Sequence, residues 1–119
     1  MLVEDNVALG RLYRQVLEHS GLDVIQATSC QEAFDRLEEV VPAAMLLDLS
    51  LPDGDGSTIV DYVKERPRFN QTRIAVVSGN DQYNPRKSGI ELFLLKPVST
   101  WTLVDSVRKM LGTPSYSTG

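Results

Sequence analysis

The sequence holds one cysteine, Cys30, and one histidine, His19, in 119 residues. A lone cysteine forms no intrachain disulfide and argues against a zinc cluster, which fits a reducing, cytoplasmic setting. A lone histidine excludes chemistry that needs several. Apolar runs are only a few residues long, far below the ~20 needed to cross a bilayer, so no membrane segment is expected. Glu4 and Asp5 follow Met1-Leu2-Val3 almost at once, and no secretory leader is expected. Positive charge is the minority: 12 Lys and Arg against 16 Asp and Glu, a net charge of −4. That balance disfavours direct nucleic-acid binding by general electrostatics. Internal repeats and low-complexity stretches are also lacking.

What is present suits one soluble domain: 42% apolar and 24% charged residues at a common single-domain length. Short apolar runs alternate with helical patterns. Met1-Leu2-Val3 is the first run. Asn6 caps a helix whose apolar face is Leu9, Leu12, Val16 and Leu17, and Gly21 stops it. Val24 to Ala27 reads as a second strand. Ser29 with Glu32 reads as a capping box for a helix carrying Ala33, Phe34, Leu37 and Val40 inside. Ala43 to Leu47 is a buried strand ending at Asp48, followed by a loop, Leu51-Pro52-Asp53-Gly54-Asp55-Gly56. Ser57 to Lys64 suits a short helix that stops near Pro67. Ile74 to Val77 and Glu91 to Leu95 are the last strands, and Ser99 caps a helix with Leu103, Val104, Val107 and Met110 on one face. The stretch 80–89 lacks a helical apolar stripe and contains Pro85, so a fourth helix there is short or irregular. The domain is expected over 1–112, with a loose tail over 113–119.

Strands alternating with helices imply a parallel sheet covered on both faces. Ligands of such sheets sit at the carboxyl ends of the strands. Those ends carry Glu4 and Asp5, then Asp48, then Ser78-Gly79, then Lys96-Pro97. Crowded carboxylates repel, and a divalent cation relieves them; all-oxygen ligation with open positions suits Mg²⁺. Lys96 offers a point charge and Ser78 a hydroxyl for phosphoryl oxygens, and a carboxylate beside Mg²⁺ can act as nucleophile on phosphorus. Gly79 and Gly54 leave room for the phosphoryl group.

The motifs Leu-Val-Glu4-Asp5-Asn6, Leu-Leu-Asp48-Leu-Ser-Leu-Pro52-Asp-Gly-Asp55-Gly56, Val-Val-Ser78-Gly79 and Phe93-Leu-Leu-Lys96-Pro97 stand in this order, each at an expected strand end. Together they resemble the response-regulator receiver domain of two-component signalling, over nearly the whole chain. The resemblance implies a flavodoxin-like, doubly wound α/β fold with a five-stranded parallel sheet in the order 2-1-3-4-5. It implies that Asp48 accepts phosphate, and that Asp5, Asp48 and the Ser50 backbone carbonyl bind Mg²⁺. Glu4 would ligate directly or through water. Lys96 and Ser78 would hold the phosphoryl oxygens, Ser78 and Phe93 would act as the switch pair, and Lys96-Pro97 would be a cis peptide. The implied partners are a sensor histidine kinase or histidine phosphotransfer protein in a phosphorelay, and a downstream protein target or fused output domain. Such a domain catalyses only its own phosphorylation and dephosphorylation.

Other readings compete residue by residue. Glu4 and Asp5 suit a helix N-terminus, Asp48 a turn, Ser78-Gly79 a strand-to-turn signal and Lys96 a sheet edge; their coincidence at four strand ends favours a site. His19 suits the end of the first helix, and Cys30 a small, partly buried hydrophobe. Trp101 and Tyr116 are expected to pack on the core or tail rather than mark a partner surface. The rival function is a Mg²⁺-dependent phosphohydrolase with an aspartyl nucleophile. Haloacid-dehalogenase-like enzymes carry a second acid two residues beyond the nucleophile, and here that position is Ser50. A flavin-binding module is disfavoured because no Ser/Thr-rich phosphate loop follows the first strand.

Overall fold

The computed structural model describes residues 1–79 and 89–112. The expectations for the irregular fourth helix and for the 113–119 tail fall outside these residues. In chain order the elements are β1 (Leu2–Val3), α1 (Val7–His19), β2 (Gln26–Ala27), α2 (Cys30–Glu39), β3 (Ala44–Asp48), β4 (Ser50–Leu51), β5 (Gly54–Asp55) and α3 (Ser57–Lys64). A 3₁₀ turn (Pro67–Phe69), β6 (Arg73–Ser78), β7 (Leu92–Leu95) and α4 (Thr100–Met110) complete them.

Five strands form one parallel sheet in the order β2-β1-β3-β6-β7. This is the expected 2-1-3-4-5 order once the small β4–β5 ribbon is set aside. Side chains alternate across the pleat. Val3, Met45, Leu47, Ile74 and Val76 enter one core with Leu37 of α2 and Ile59, Val60 and Val63 of α3. Leu2, Leu46, Ala75 and Val77 enter the other with Tyr13 and Leu17 of α1 and Leu103 and Val107 of α4. Both faces are covered, which is why β3 and β6 read as continuous apolar runs. Fully burying a Val, Leu, Ile or Met side chain in these cores contributes roughly 1.5–3 kcal/mol.

The helix caps form where the sequence places them. Asn6 Oδ1 accepts from the Leu9 N–H at 2.9 Å, Ser29 Oγ from Glu32 at 3.1 Å, and Ser99 Oγ from Thr102 at 3.1 Å. Gly21, at φ 90°, supplies the left-handed residue after α1. The capping box differs in its return bond: the Glu32 carboxylate accepts from the Thr28 N–H at 2.6 Å.

Several local expectations are corrected. The inward stripe of α1 runs through Gly10, Tyr13 and Leu17, and Leu12 is exposed. Val24 and Ile25 precede β2, and Val40 caps α2 from outside. Trp101 is 84% exposed rather than packed on the core. The loop after β3 contains an antiparallel ribbon pairing Ser50 with Asp55 and Leu51 with Gly54. β7 begins at Leu92, one residue later than expected; before it, the Glu91 N–H donates to the Ile74 carbonyl at 2.9 Å and the Glu91 carboxylate accepts from the Ile74 N–H.

Candidate functional site

Parallel register brings the strand ends together. Val3 pairs with Leu47, Asp48 with Val77, and Ser78 with Leu95. Glu4 and Asp48 therefore emerge level with each other, Ser78 one step and Lys96 two steps further along the sheet's carboxyl edge. The Lys96 N–H donates to the Ser78 carbonyl at 2.8 Å and extends the ladder to the site itself.

Glu4, Asp5 and Asp48 each present a carboxylate oxygen, all within 4.8 Å of one another. Glu4 is 2% and Asp48 5% exposed, whereas Asp5 faces solvent. The Lys96 ammonium lies 3.0 Å from Glu4 Oε1 and 3.1 Å from Asp48 Oδ2. Backbone donors hold the remaining oxygens: Asn6 N–H to Glu4 Oε2 at 3.1 Å, and Ser50 N–H to Asp48 Oδ1 at 2.9 Å. Both buried carboxylates are thus fixed in orientation by one ammonium and two main-chain amides.

Burial pushes the Glu4 pKa up. The Asn6 amide and the Lys96 bond oppose that rise, and the Asp48 charge adds to it. For Lys96, burial alone lowers the pKa, but the bonds and charges of Glu4 and Asp48 outweigh it and the net direction is upward. The Lys96 ammonium pairs with Glu4 and Asp48, while Asp5 completes a cluster of three acidic side chains. The donor set is hard oxygen throughout, so the cluster is compatible with a divalent cation of the Mg²⁺ kind.

Ser78 is buried at the end of β6, followed by exposed Gly79. Phe93 is half-buried in β7, paired with Val76 and packed against the α2/α3-side core. Ser50 is exposed at the start of the ribbon, and the Lys96–Pro97 peptide is cis.

Three residues at or beside the site were not singled out by sequence reasoning. Gly56 is the glycine that close approach demands: a Cβ there would stand 2.6 Å from the Asp48 carbonyl oxygen and 2.9 Å from Leu49 Cα. Gly54 instead faces α2, with Cys30 Sγ 3.7 Å from a would-be Cβ. Tyr13 is buried beside the cluster; burial raises its pKa, and the charges of Lys96, Glu4 and Asp48 all act on it. Asp53 bonds to the N-terminus of α2. The second glycine of Asp53-Gly54-Asp55-Gly56 was a usable signal; the other two depend on non-local packing.

The family profile of the response regulator receiver domain matches residues 1–108, and the chain belongs to that family. The polar-differentiation response regulator DivK of Brucella ovis is 28% identical over 116 residues, covering 94% of this chain and 94% of that protein. A sensor protein from Polaromonas sp. JS666 has a crystal structure 28% identical to this chain, with a TM-score of 0.83 over 93% of this chain and 94% of that one. A CheY-like receiver domain protein from Methanospirillum hungatei JF-1 shares the fold at a TM-score of 0.85 and 24% identity, over 93% of this chain and 90% of that one. Among the described residues no helix is long and apolar enough to cross a membrane.

Proposed function

We propose that this receiver domain is a phosphorylation-controlled signalling switch in which Asp48 accepts a phosphoryl group from a phosphohistidine on a sensor histidine kinase or histidine phosphotransfer protein. The observation that carries the reading is the placement of Asp48: buried at a strand end, 3.1 Å from the Lys96 ammonium and grouped with Glu4 and Asp5. The donor set fits Mg²⁺, which Asp5, Asp48 and the Ser50 carbonyl would hold, with Glu4 ligating directly or through water. A bound Mg²⁺ would supply charge neutralisation to the carboxylates and to the incoming phosphoryl oxygens.

In the transfer, an Asp48 carboxylate oxygen forms a bond to phosphorus as the phosphorus–nitrogen bond of the donor breaks. The electron pair returns to the imidazole, which takes up a proton. Ser50 N–H holds Oδ1 and leaves Oδ2, the oxygen facing Lys96, to react. Lys96 then exchanges its bond to Asp48 for one to a phosphoryl oxygen. Ser78 donates its hydroxyl to a second oxygen, and Phe93, on the neighbouring strand, responds to that movement. The altered surface engages a downstream protein or a fused output domain. Hydrolysis of the acyl phosphate resets the switch.

Transfer from a phosphorylated histidine phosphotransfer protein tests the reading. Label should pass to the wild type in Mg²⁺ and not to Asp48→Asn. Sustained turnover of a simple phosphate ester would instead support the phosphohydrolase.

A further inference from the structure

We propose that Asp53 is a positioning residue for the Asp48 site, acting as a tether between the β4–β5 ribbon and α2. The inference rests on the reading of Asp48 and its metal ligands given above.

The N-terminus of a helix leaves its first amides without helical partners. In α2 the Glu32 amide goes to Ser29 Oγ at 3.1 Å. The Cys30 and Gln31 amides go to Asp53 Oδ1 and Oδ2, at 2.8 and 2.9 Å, from 23 and 22 residues along the chain. Both bonds are charge-assisted and lie at the positive end of the helix dipole. They hold the Asp53 carboxyl below its usual range, the Gln31 amide first and the Cys30 amide next.

Asp53 sits in the turn of the ribbon. At the base of the same ribbon, Ser50 N–H orients Asp48 Oδ1 at 2.9 Å, and the Ser50 carbonyl is a proposed metal ligand. The Gly56 N–H bonds the Leu49 carbonyl at 2.8 Å and closes the base against the Asp48 backbone. Two paired positions per strand are too few to hold a ribbon's shape alone. The tip therefore needs an anchor, and Asp53 supplies it from α2. Gly54 beside Asp53 takes a positive φ of 156°, and a Cβ there would only touch Cys30 Sγ at 3.7 Å, so the glycine serves the turn and the carboxylate makes the link. The chain runs from phosphoacceptor to Ser50, to the turn, to α2, and the last link is one carboxylate.

Calorimetric Mg²⁺ titration of the full chain tests the tether. Asp53→Ala should bind Mg²⁺ on the order of tenfold more weakly, as when other partners that orient metal ligands are lost. Amide exchange at Cys30 and Gln31 should quicken in the same variant. Asp53→Asn keeps a neutral acceptor, should fall between, and carries the test should the alanine variant unfold. Ser29→Ala removes the local cap of the same helix and should leave Mg²⁺ affinity unchanged. Wild-type affinity in both Asp53 variants overturns the proposal. So does an equal loss in Ser29→Ala, which would mean that any weakening of α2 suffices. Wild-type protein that takes up no Mg²⁺ refutes the site reading itself, and the tether with it.

Discussion

Replacing Lys96 with Met keeps much of the side chain's length and removes its charge from between two buried carboxylates. Each contact, at 3.0 and 3.1 Å, is worth about 5 kcal/mol gross at an effective dielectric of 20. Desolvating the ammonium offsets part of this, and solvent screens more because the Lys96 side chain is 25% exposed. The expected loss in metal-free protein is about 2–3 kcal/mol. The sign with pH follows from Glu4, whose folded pKa already lies above its ordinary 4.5 because of burial. A group raised in this way contributes stability that is present below its unfolded value and lost as pH rises through its folded value. Without Lys96, Glu4 rises further, so the variant's deficit should widen from about pH 5 to about pH 8. Added Mg²⁺ should narrow it. Urea unfolding followed by circular dichroism at both pH values, with and without Mg²⁺, reads the effect. A deficit equal at both pH values and indifferent to Mg²⁺ would refute the electrostatic reasoning.

Three further outcomes are expected. Gly56→Ala places a Cβ 2.6 Å from the Asp48 carbonyl oxygen, so the backbone must shift; a loss of about 2 kcal/mol in melts should accompany slower phosphorylation. Mg²⁺ at about ten times its Kd should stabilise the native state by about 1.4 kcal/mol, and an unchanged thermal melt would contradict a metal-binding cluster. Because the Asp53 carboxyl is held below its ordinary 3.8, its contribution is present above that value and lost as pH falls through the folded value; protection of the Cys30 and Gln31 amides should fall on the same acid limb.

Much of the fold was legible because its signals are local. Asn6, Ser29 and Ser99 cap helices through bonds spanning three residues, and β3 and β6 announce two-sided burial by unbroken apolar runs. The site was legible in part for a topological reason: parallel strands deliver Glu4, Asp48 and Lys96 to one edge although they lie up to 92 positions apart. What escaped depends on contacts no local pattern encodes. Tyr13 displaces Leu12 from the core because α1 rotates its 10-13-17 stripe inward, a choice made by the sheet beneath it. The β4–β5 ribbon is two residues per strand inside a Pro- and Gly-rich segment, so composition reads it as loop. Asp53 caps a helix that precedes it by more than twenty residues, where local capping rules do not reach. Trp101 reads as a core aromatic by type, yet it projects from the first turn of α4 away from the sheet.

The central claim is that Asp48 takes up a phosphoryl group. Incubating the protein with Mg²⁺ and acetyl phosphate, then mapping the adduct by mass spectrometry, tests it most directly. One base-labile, acid-stable adduct on Asp48 is predicted, absent without Mg²⁺ and absent in Asp48→Asn. Labelling of Asp48→Asn at the wild-type level, or an adduct on any other residue of the wild type, would contradict it.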